Sequence, residues 1–267
     1  MKFEKLLKTA IQASIDAGEE VCKIYKDEFD ISYKDDKSPL TVADTRSNEI
    51  IHSYLDKTQI PILSEEGKFI PYEVRKKWEY FWIVDPLDGT KEFIKRNGEF
   101  TINIALIKRK KPVLGVIYVP VQKSLYFASS LTGSVKIENI TETKKDSSLN
   151  NYLFIGEKLP LKNLNKKYTA VGSKSHMNAE TENFINQLRK EHGNIEVLSR
   201  GSSLKICMVA EGKANIYPRF APTMEWDIAA GHAIVKYAKG KLINYNTQKE
   251  ITYNTRSLIN PWFITER

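Results

Sequence analysis

The sequence predicts an α/β (α+β) fold, with helices layered against two sheets. Three observations predict it: an amphipathic helical stripe opens the chain, alternating strands fill the later part of its first half, and strand-like and helix-like segments then interleave to the end. A length of 267 residues suits one large domain or two smaller ones sharing an interface.

Phe3, Leu6, Leu7, Ala10, Ile11, Ala17, Val21 and Ile24 recur at helical spacing, with the small Ser14 on the same face, so the first helix turns this stripe to the core. After a polar stretch containing Ser38 and Pro39, TVADTRSNEIIHSYL predicts a second helix. Thr41 and Asp44 stand at capping-box spacing there, which puts Asp44 in the first turn. Strand-like PIL leads into Glu65 and Glu66, and FWIVD, from Phe81, reads as an apolar strand broken by Pro86 and Gly89. TINIALI alternates, with Ile102, Ile104 and Leu106 on one face, and VLGVIYVP and SLYFAS form a hairpin continuing that sheet. From Leu131 to Pro160 the chain is polar and weakly patterned. A boundary is expected there, between an N-terminal α+β unit, 1–140, and a C-terminal α/β unit, 141–267. YTAVGS, NAETENFINQLRKEH, IEVLSR, SSLKICMVAEG, NIYPRF and EWDIAAGHAIVKYA then alternate between strand and helix character.

Lys and Arg number 41 against 33 Asp and Glu, a formal +8 that suits either nucleic acid or a small polyanionic ligand. Dispersed lysines such as Lys2, Lys5 and Lys8 read as solvated surface. No helix concentrates Lys and Arg and no aromatic-basic platform is present, which disfavours a nucleic-acid partner. Cys22 and Cys207 each lie in an apolar helical pattern, as core packing rather than a disulfide. The charged N-terminal stretch has no apolar core of the kind a signal peptide needs, and no run is long enough to span a bilayer. Cytoplasmic residence is the simplest expectation, with peripheral association at the inner membrane left open.

The stretch VDPLDGTKEF places Asp85 and Asp88 after an apolar strand, with Pro86 and Gly89 turning the backbone between and after them. Magnesium prefers such hard oxygen ligands, and the Leu87 carbonyl is a further donor. Gly89, Thr90 and Lys91 open a turn or short helix whose free N–H groups suit an anion. Asp-Pro and Asp-Gly also shape ordinary surface turns, so this block alone leaves both readings open. Glu65 and Glu66 in SEEGK, and Asp227 in EWDIAAGHAIV, add acids from separate segments. A solvated loop and a dipole-stabilising first-turn acid are the plain alternatives for these.

In order along the chain, SEEG, DPLDGT and WDIAAG resemble the Glu-Glu pair, the Asp-Pro-(Ile/Leu)-Asp-Gly-Thr block and the Trp-Asp-x-Ala-Ala-Gly block of the inositol monophosphatase superfamily. The resemblance covers nearly the whole chain and implies a layered αβαβα sandwich. It implies that Glu65, Asp85 and the Leu87 carbonyl bind one magnesium while Asp85, Asp88 and Asp227 bind a second, with two ions, or three, as cofactor. Asp85 then bridges ions roughly 3.5–4 Å apart. Thr90 and Asp44 are implied to orient and deprotonate a water in a step that also uses Glu65. Gly89 and Thr90 amides are implied to hold the phosphate.

Lys91, Glu92 and Phe93 replace the Thr-Asn-Phe usual in inositol monophosphatases, so DGTKEFIKRNGEFT resembles the bacterial 3′(2′),5′-bisphosphate nucleotidase branch instead. RGSSLKICMVAEGKANIYPRFAPTMEWD does too, which brings Gly201, Ser202, Ser203 and Lys205 to the nucleotide. VGSKSHMN implies Ser173, Ser175 and His176 as further contacts. Lys91, Lys205 or Arg219 would neutralise the phosphate that is not cleaved. The implied reaction is hydrolysis of adenosine 3′,5′-bisphosphate to AMP and phosphate, with the sulfated analogue as a second substrate, lithium sensitivity and a place in sulfur assimilation. The rivals are an inositol monophosphatase or sugar bisphosphatase of the same superfamily and, in another class, a basic nucleic-acid-binding protein. A small phosphate ester is the expected partner, and a monomer is favoured over a dimer. Val135 departs from the aromatic that many relatives carry in this region, and the polar stretch from Glu138 to Pro160 carries no motif by which the resemblance can be placed.

Overall fold

In the computed structural model, which describes residues 3–27, 31–33, 39–140, 148–162, 167–172 and 178–267, alternate residues of the same strands feed two separate cores. The chain opens with α1 (Phe3–Lys26), a small antiparallel pair β1 (Ile31–Tyr33) and β2 (Pro39–Thr41), and α2 (Val42–Leu55). A seven-stranded sheet follows in chain order: β3 (Ile62–Ser64), β4 (Tyr80–Asp88), β5 (Thr101–Lys108), β6 (Lys111–Val119), β7 (Ser124–Ser129), β8 (Gly133–Ile137) and β9 (Glu157–Lys158). Short helices α3 (Tyr72–Arg75), α4 (Thr90–Ile94) and α5 (Leu149–Ile155) lie between its strands.

Trp82, Val84, Ile102, Ile104, Leu106 and Val116 bury on one face against the apolar stripes of α1 and α2. Their neighbours Phe81, Ile83, Ala105, Ile107, Ile117 and Val119 bury on the other face. With side chains alternating across a strand, a sheet covered on both sides needs apolar residues at both phases. On that second face lie α7 (Leu204–Glu211) and α8 (Glu225–Tyr237).

These two helices are also covered by a five-stranded sheet in the order β11-β10-β12-β14-β13. Its strands are β10 (Thr169–Gly172), β11 (Glu196–Ser199), β12 (Ile216–Arg219), β13 (Lys241–Asn244) and β14 (Phe263–Glu266). Its outer face packs Ala170, Ile216 and Ile264 against Ile185 and Leu188 of α6 (Ala179–His192). The layers are therefore αβαβα. Cys207 is buried and Cys22 half-buried, both as free thiols.

Two local expectations need correction. Strand β4 does not stop at Pro86 but runs to Asp88, with its register against β5 shifting between Asp85↔Asn103 and Asp88↔Thr101. Three steps on β4 oppose two on β5, a bulge that tolerates proline and re-aims the side chains beside it. The polar stretch after Leu131 contains β8, whose Ser134 and Lys136 are buried. Lys136 can lie inside because its Nζ pairs with Glu211 (3.0 Å) and Glu138 (2.6 Å). Strand β9 joins the large sheet from beyond residue 140.

Helix α8 approaches the large sheet closely at Gly115 of β6. A Cβ there would stand 2.4 Å from the Ala230 carbonyl oxygen and 2.7 Å from the Ala233 Cβ. Only a residue without a side chain lets the helix rest on the strand at this depth.

Candidate active site

Strand β3, the bulged end of β4 and the first turn of α8 converge, bringing carboxylate oxygens of Glu65, Asp85 and Asp227 within 4.8 Å of one another. Asp85 is only 1% exposed. Burial, and then the charges of Glu65, Asp88 and Asp227, raise its carboxyl well above the ordinary range. Burial and the charge of Asp88 do the same to Asp227. Crowded acids repel one another, and a divalent cation removes that repulsion. The oxygen-only donor set suits a hard cation. The Leu87 N–H donates to Asp85 Oδ1 (3.1 Å), and Ser47 Oγ pins the turn by donating to the Pro86 carbonyl (2.6 Å).

Asp88 points toward the other half of the molecule. Its Oδ2 accepts from Ser202 Oγ (2.6 Å), while Ser203 Oγ lies 2.8 Å from the same oxygen and 2.8 Å from the Asp227 carbonyl. Asn103 Nδ2 reaches both Asp88 Oδ2 (3.3 Å) and Ser203 Oγ (2.9 Å), and Thr101 Oγ1 sits 2.6 Å from Ser202 Oγ. Thr101 and Asn103 were not among the residues expected at the site. The available signal was two polar residues at period two in a strand otherwise apolar at both phases.

Asp44 is buried and spends its two oxygens separately. Oδ2 accepts from the backbone N–H (2.8 Å) and hydroxyl (2.6 Å) of Thr41, closing the capping box of α2. Oδ1 accepts from Thr90 Oγ1 (3.1 Å), whose hydroxyl also lies 3.4 Å from the Leu87 carbonyl. Asp227 Oδ2 likewise accepts from the Met224 N–H (2.8 Å), which leaves its other oxygen for the cluster. In both cases a helix cap fixes a carboxylate's rotamer.

A cavity beside Asp88 and Asp227 is lined by Gly89, Glu92, Gly201, Ser202, Ser203, Lys205, Tyr217, Arg219 and Thr223, with Ile206 and Ile228 behind. Lys205 Nζ donates to the carbonyls of Ser202 (2.6 Å) and Arg200 (3.3 Å). Burial brings its ammonium down to about 8, with Asp88 acting against that shift and Arg219 adding to it. Arg219 donates from Nη2 to the Pro222 carbonyl (3.1 Å), and its Nε is buried with no hydrogen-bond partner among the described residues. Glu92, Tyr217 and Thr223 line this cavity without having been expected there. Lys91 is exposed on α4 and does not line it, and Ser173, Ser175 and His176 lie outside the described residues.

Two anchors tie the ends of the carboxylate cluster together. Arg75 is buried after the Glu65 loop and donates to Asn254 Oδ1 (2.7 Å) and to the carbonyls of Thr255 (2.6 Å) and Arg256 (3.0 Å). Glu225, two residues before Asp227, accepts the backbone N–H groups of Asn254 (2.6 Å) and Thr255 (2.9 Å). Residues 254–256 thus bridge the β3–β4 connection to the start of α8. Among the described residues no helix is long and apolar enough to cross a membrane.

A profile described as the inositol monophosphatase family matches residues 2–266. A Salmonella typhimurium protein named 3′(2′),5′-bisphosphate nucleotidase CysQ is 41% identical over 263 residues, covering 97% of this chain and 98% of its own. A Haemophilus influenzae protein of the same name is 31% identical over 98% of this chain and 92% of its own. The crystal structure of CysQ from Bacteroides thetaiotaomicron superposes with a TM-score of 0.92 at 50% identity, over 99% of this chain and 98% of that one. An inositol monophosphatase from Zymomonas mobilis shares the fold, with a TM-score of 0.74 at 19% identity over 100% and 94% of the two chains.

Proposed function

The chain belongs to the inositol monophosphatase family, and within it we propose that it is a magnesium-dependent 3′(2′),5′-bisphosphate nucleotidase. Its substrate on this reading is adenosine 3′,5′-bisphosphate, with the sulfated analogue as a second, and its products are AMP and inorganic phosphate. The observation that carries the reading is the gathering of Glu65, Asp85 and Asp227 beside the Asp44–Thr90 pair and a cavity holding Lys205 and Arg219.

Glu65, Asp85 and the Leu87 carbonyl would hold one magnesium, and Asp85, Asp88 and Asp227 another. Held there, magnesium supplies an activated water and stabilises charge on the phosphoryl and leaving oxygens. Thr90 donates its hydroxyl proton to Asp44 Oδ1, so its lone pairs face outward to accept the proton of the attacking water. Asp44 stays in place because Thr41 occupies its second oxygen, and it takes up the relayed proton. Gly89 and Thr90 amides hold the phosphate under attack. Ser202 and Ser203 keep Asp88 turned to the cavity, and Lys205 with Arg219 balances the uncleaved phosphate. The setting that fits this activity is a cytoplasmic monomer in sulfur assimilation, inhibited by lithium at the metal region.

The test is phosphate release from adenosine 3′,5′-bisphosphate, inositol 1-phosphate and a sugar bisphosphate, with magnesium or with EDTA. Release that needs magnesium, with the highest kcat/KM on the nucleotide, is expected. A higher kcat/KM on inositol phosphate would move the chain to the other branch of the family.

A further inference from the structure

Glu92 is the acid in the cavity to which neither the metal cluster nor the proton relay gives a task. It lies in the first turn of α4, half-buried, and its carboxylate accepts from its own backbone N–H. Among the described residues it makes no other side-chain hydrogen bond and no ion pair within 4 Å. Two glycines make room for it. A Cβ on Gly201 would stand 2.8 Å from Glu92 Cγ, and one on Gly89 would stand 3.3 Å from Glu92 Oε2.

Holding an acid in this place is unfavourable. Burial, above all, and the charge of Asp88 work against its ionisation and outweigh its own backbone N–H and the charges of Lys205 and Lys95, while the same cavity presents Lys205 and Arg219 to anions. A carboxylate there repels every phosphate oxygen of the substrate, so its use has to lie with a donor. Ionised carboxylates only accept, and the donors that a nucleoside bisphosphate carries next to its scissile ester are sugar hydroxyls. Pairing of an acid with a ribose hydroxyl is also how dinucleotide-binding sheets read ribose.

Resting on the nucleotidase reading, we infer that Glu92 accepts a hydrogen bond from the sugar hydroxyl vicinal to the scissile phosphate and selects ribonucleotides over their deoxy counterparts. Gly201 matters to this as well, since a Cβ there would crowd Glu92 Cγ (2.8 Å) and the Glu99 carbonyl oxygen (2.9 Å).

The experiment compares kcat/KM for adenosine 3′,5′-bisphosphate with that for 2′-deoxyadenosine 3′,5′-bisphosphate. The wild-type enzyme is expected to favour the ribose form by roughly ten- to a hundredfold, the range of one hydrogen bond to a charged group. Glu92→Ala should bring the ratio close to one, and Glu92→Gln, which keeps an acceptor and loses the charge, should fall between. The ratio is internal to each preparation, so a loss of folded enzyme cancels. A Glu92→Ala ratio equal to the wild-type one overturns the inference, as does a wild-type enzyme blind to the hydroxyl. A fall in kcat on both substrates with the ratio kept would assign Glu92 to the chemical step instead. Should the wild-type enzyme release phosphate from inositol 1-phosphate but from neither bisphosphate, the nucleotidase reading itself fails.

Discussion

Gly115→Ala adds a single methyl where α8 meets β6, and its effect can be worked out from the contact. The new Cβ would lie 2.4 Å from the Ala230 carbonyl oxygen, whereas ordinary contact begins at 3.4 Å, so the helix must retreat by the difference, about 1.0 Å. A backbone carbonyl cannot turn aside as a flexible side chain would. Overpacking of this kind costs about 1–3 kcal/mol. At about 2–4 °C per kcal/mol for a chain approaching this size, the metal-free protein should melt roughly 2–12 °C lower. Asp227 lies three residues before Ala230 on the same helix, and a displacement of about 1 Å in a reacting constellation costs on the order of a hundredfold in rate. Thermal melts read the first effect, and phosphate release at saturating magnesium reads the second. Adding Ala233→Gly removes the 2.7 Å contact but not the carbonyl, so it should restore only part of either loss. A Gly115→Ala enzyme with wild-type melting and wild-type kcat would refute the claim that this approach sets the position of Asp227.

Asp88→Asn should lower turnover by at least about a hundredfold while raising the melting temperature of the metal-free protein, because a charge that opposes ionisation of Asp85 and Asp227 is removed. The stabilisation by added magnesium should shrink in the same variant. Lys205→Ala should raise KM for the bisphosphate roughly ten- to a hundredfold, with a much smaller change on a nucleoside monophosphate. His232 is buried between the Tyr253 hydroxyl (Nδ1, 2.9 Å) and Glu250 (Nε2, 3.3 Å), and burial lowers its pKa below 6.5. The unfolded chain therefore binds a proton that the folded chain resists, so stability should decline as pH falls below about 6.5. In urea titrations from pH 7.5 to 5.5, a His232→Gln variant should show a shallower decline.

Much of this architecture is legible in the sequence because it is local. The stripe from Phe3 to Ile24 and the alternation of Ile102, Ile104 and Leu106 each follow from one element burying one face. Both contacts of Asp44 were legible, since the spacing from Thr41 gives the cap and the family motif gives the partner Thr90. Strand β8 was hidden because Lys136 owes its burial to Glu211, an acid on α7 that no nearby pattern announces. The contacts of Ser202 and Ser203 with Asp88 join two halves of the chain, and the bulge at Pro86 exists only against β5. Sequence order carries no trace of such pairings until the sheets are assembled.

The clamp formed by Arg75 and Glu225 on residues 254–256 has a consequence for biosynthesis. A ribosome delivers Asp44, Glu65, Asp85 and Asp88 long before Asp227, and the clamped segment later still. A nascent chain halted before residue 254 carries every acid of the centre but lacks the tie between Arg75 and Glu225. Such an intermediate should take up magnesium weakly, so competence for hydrolysis arrives late in translation.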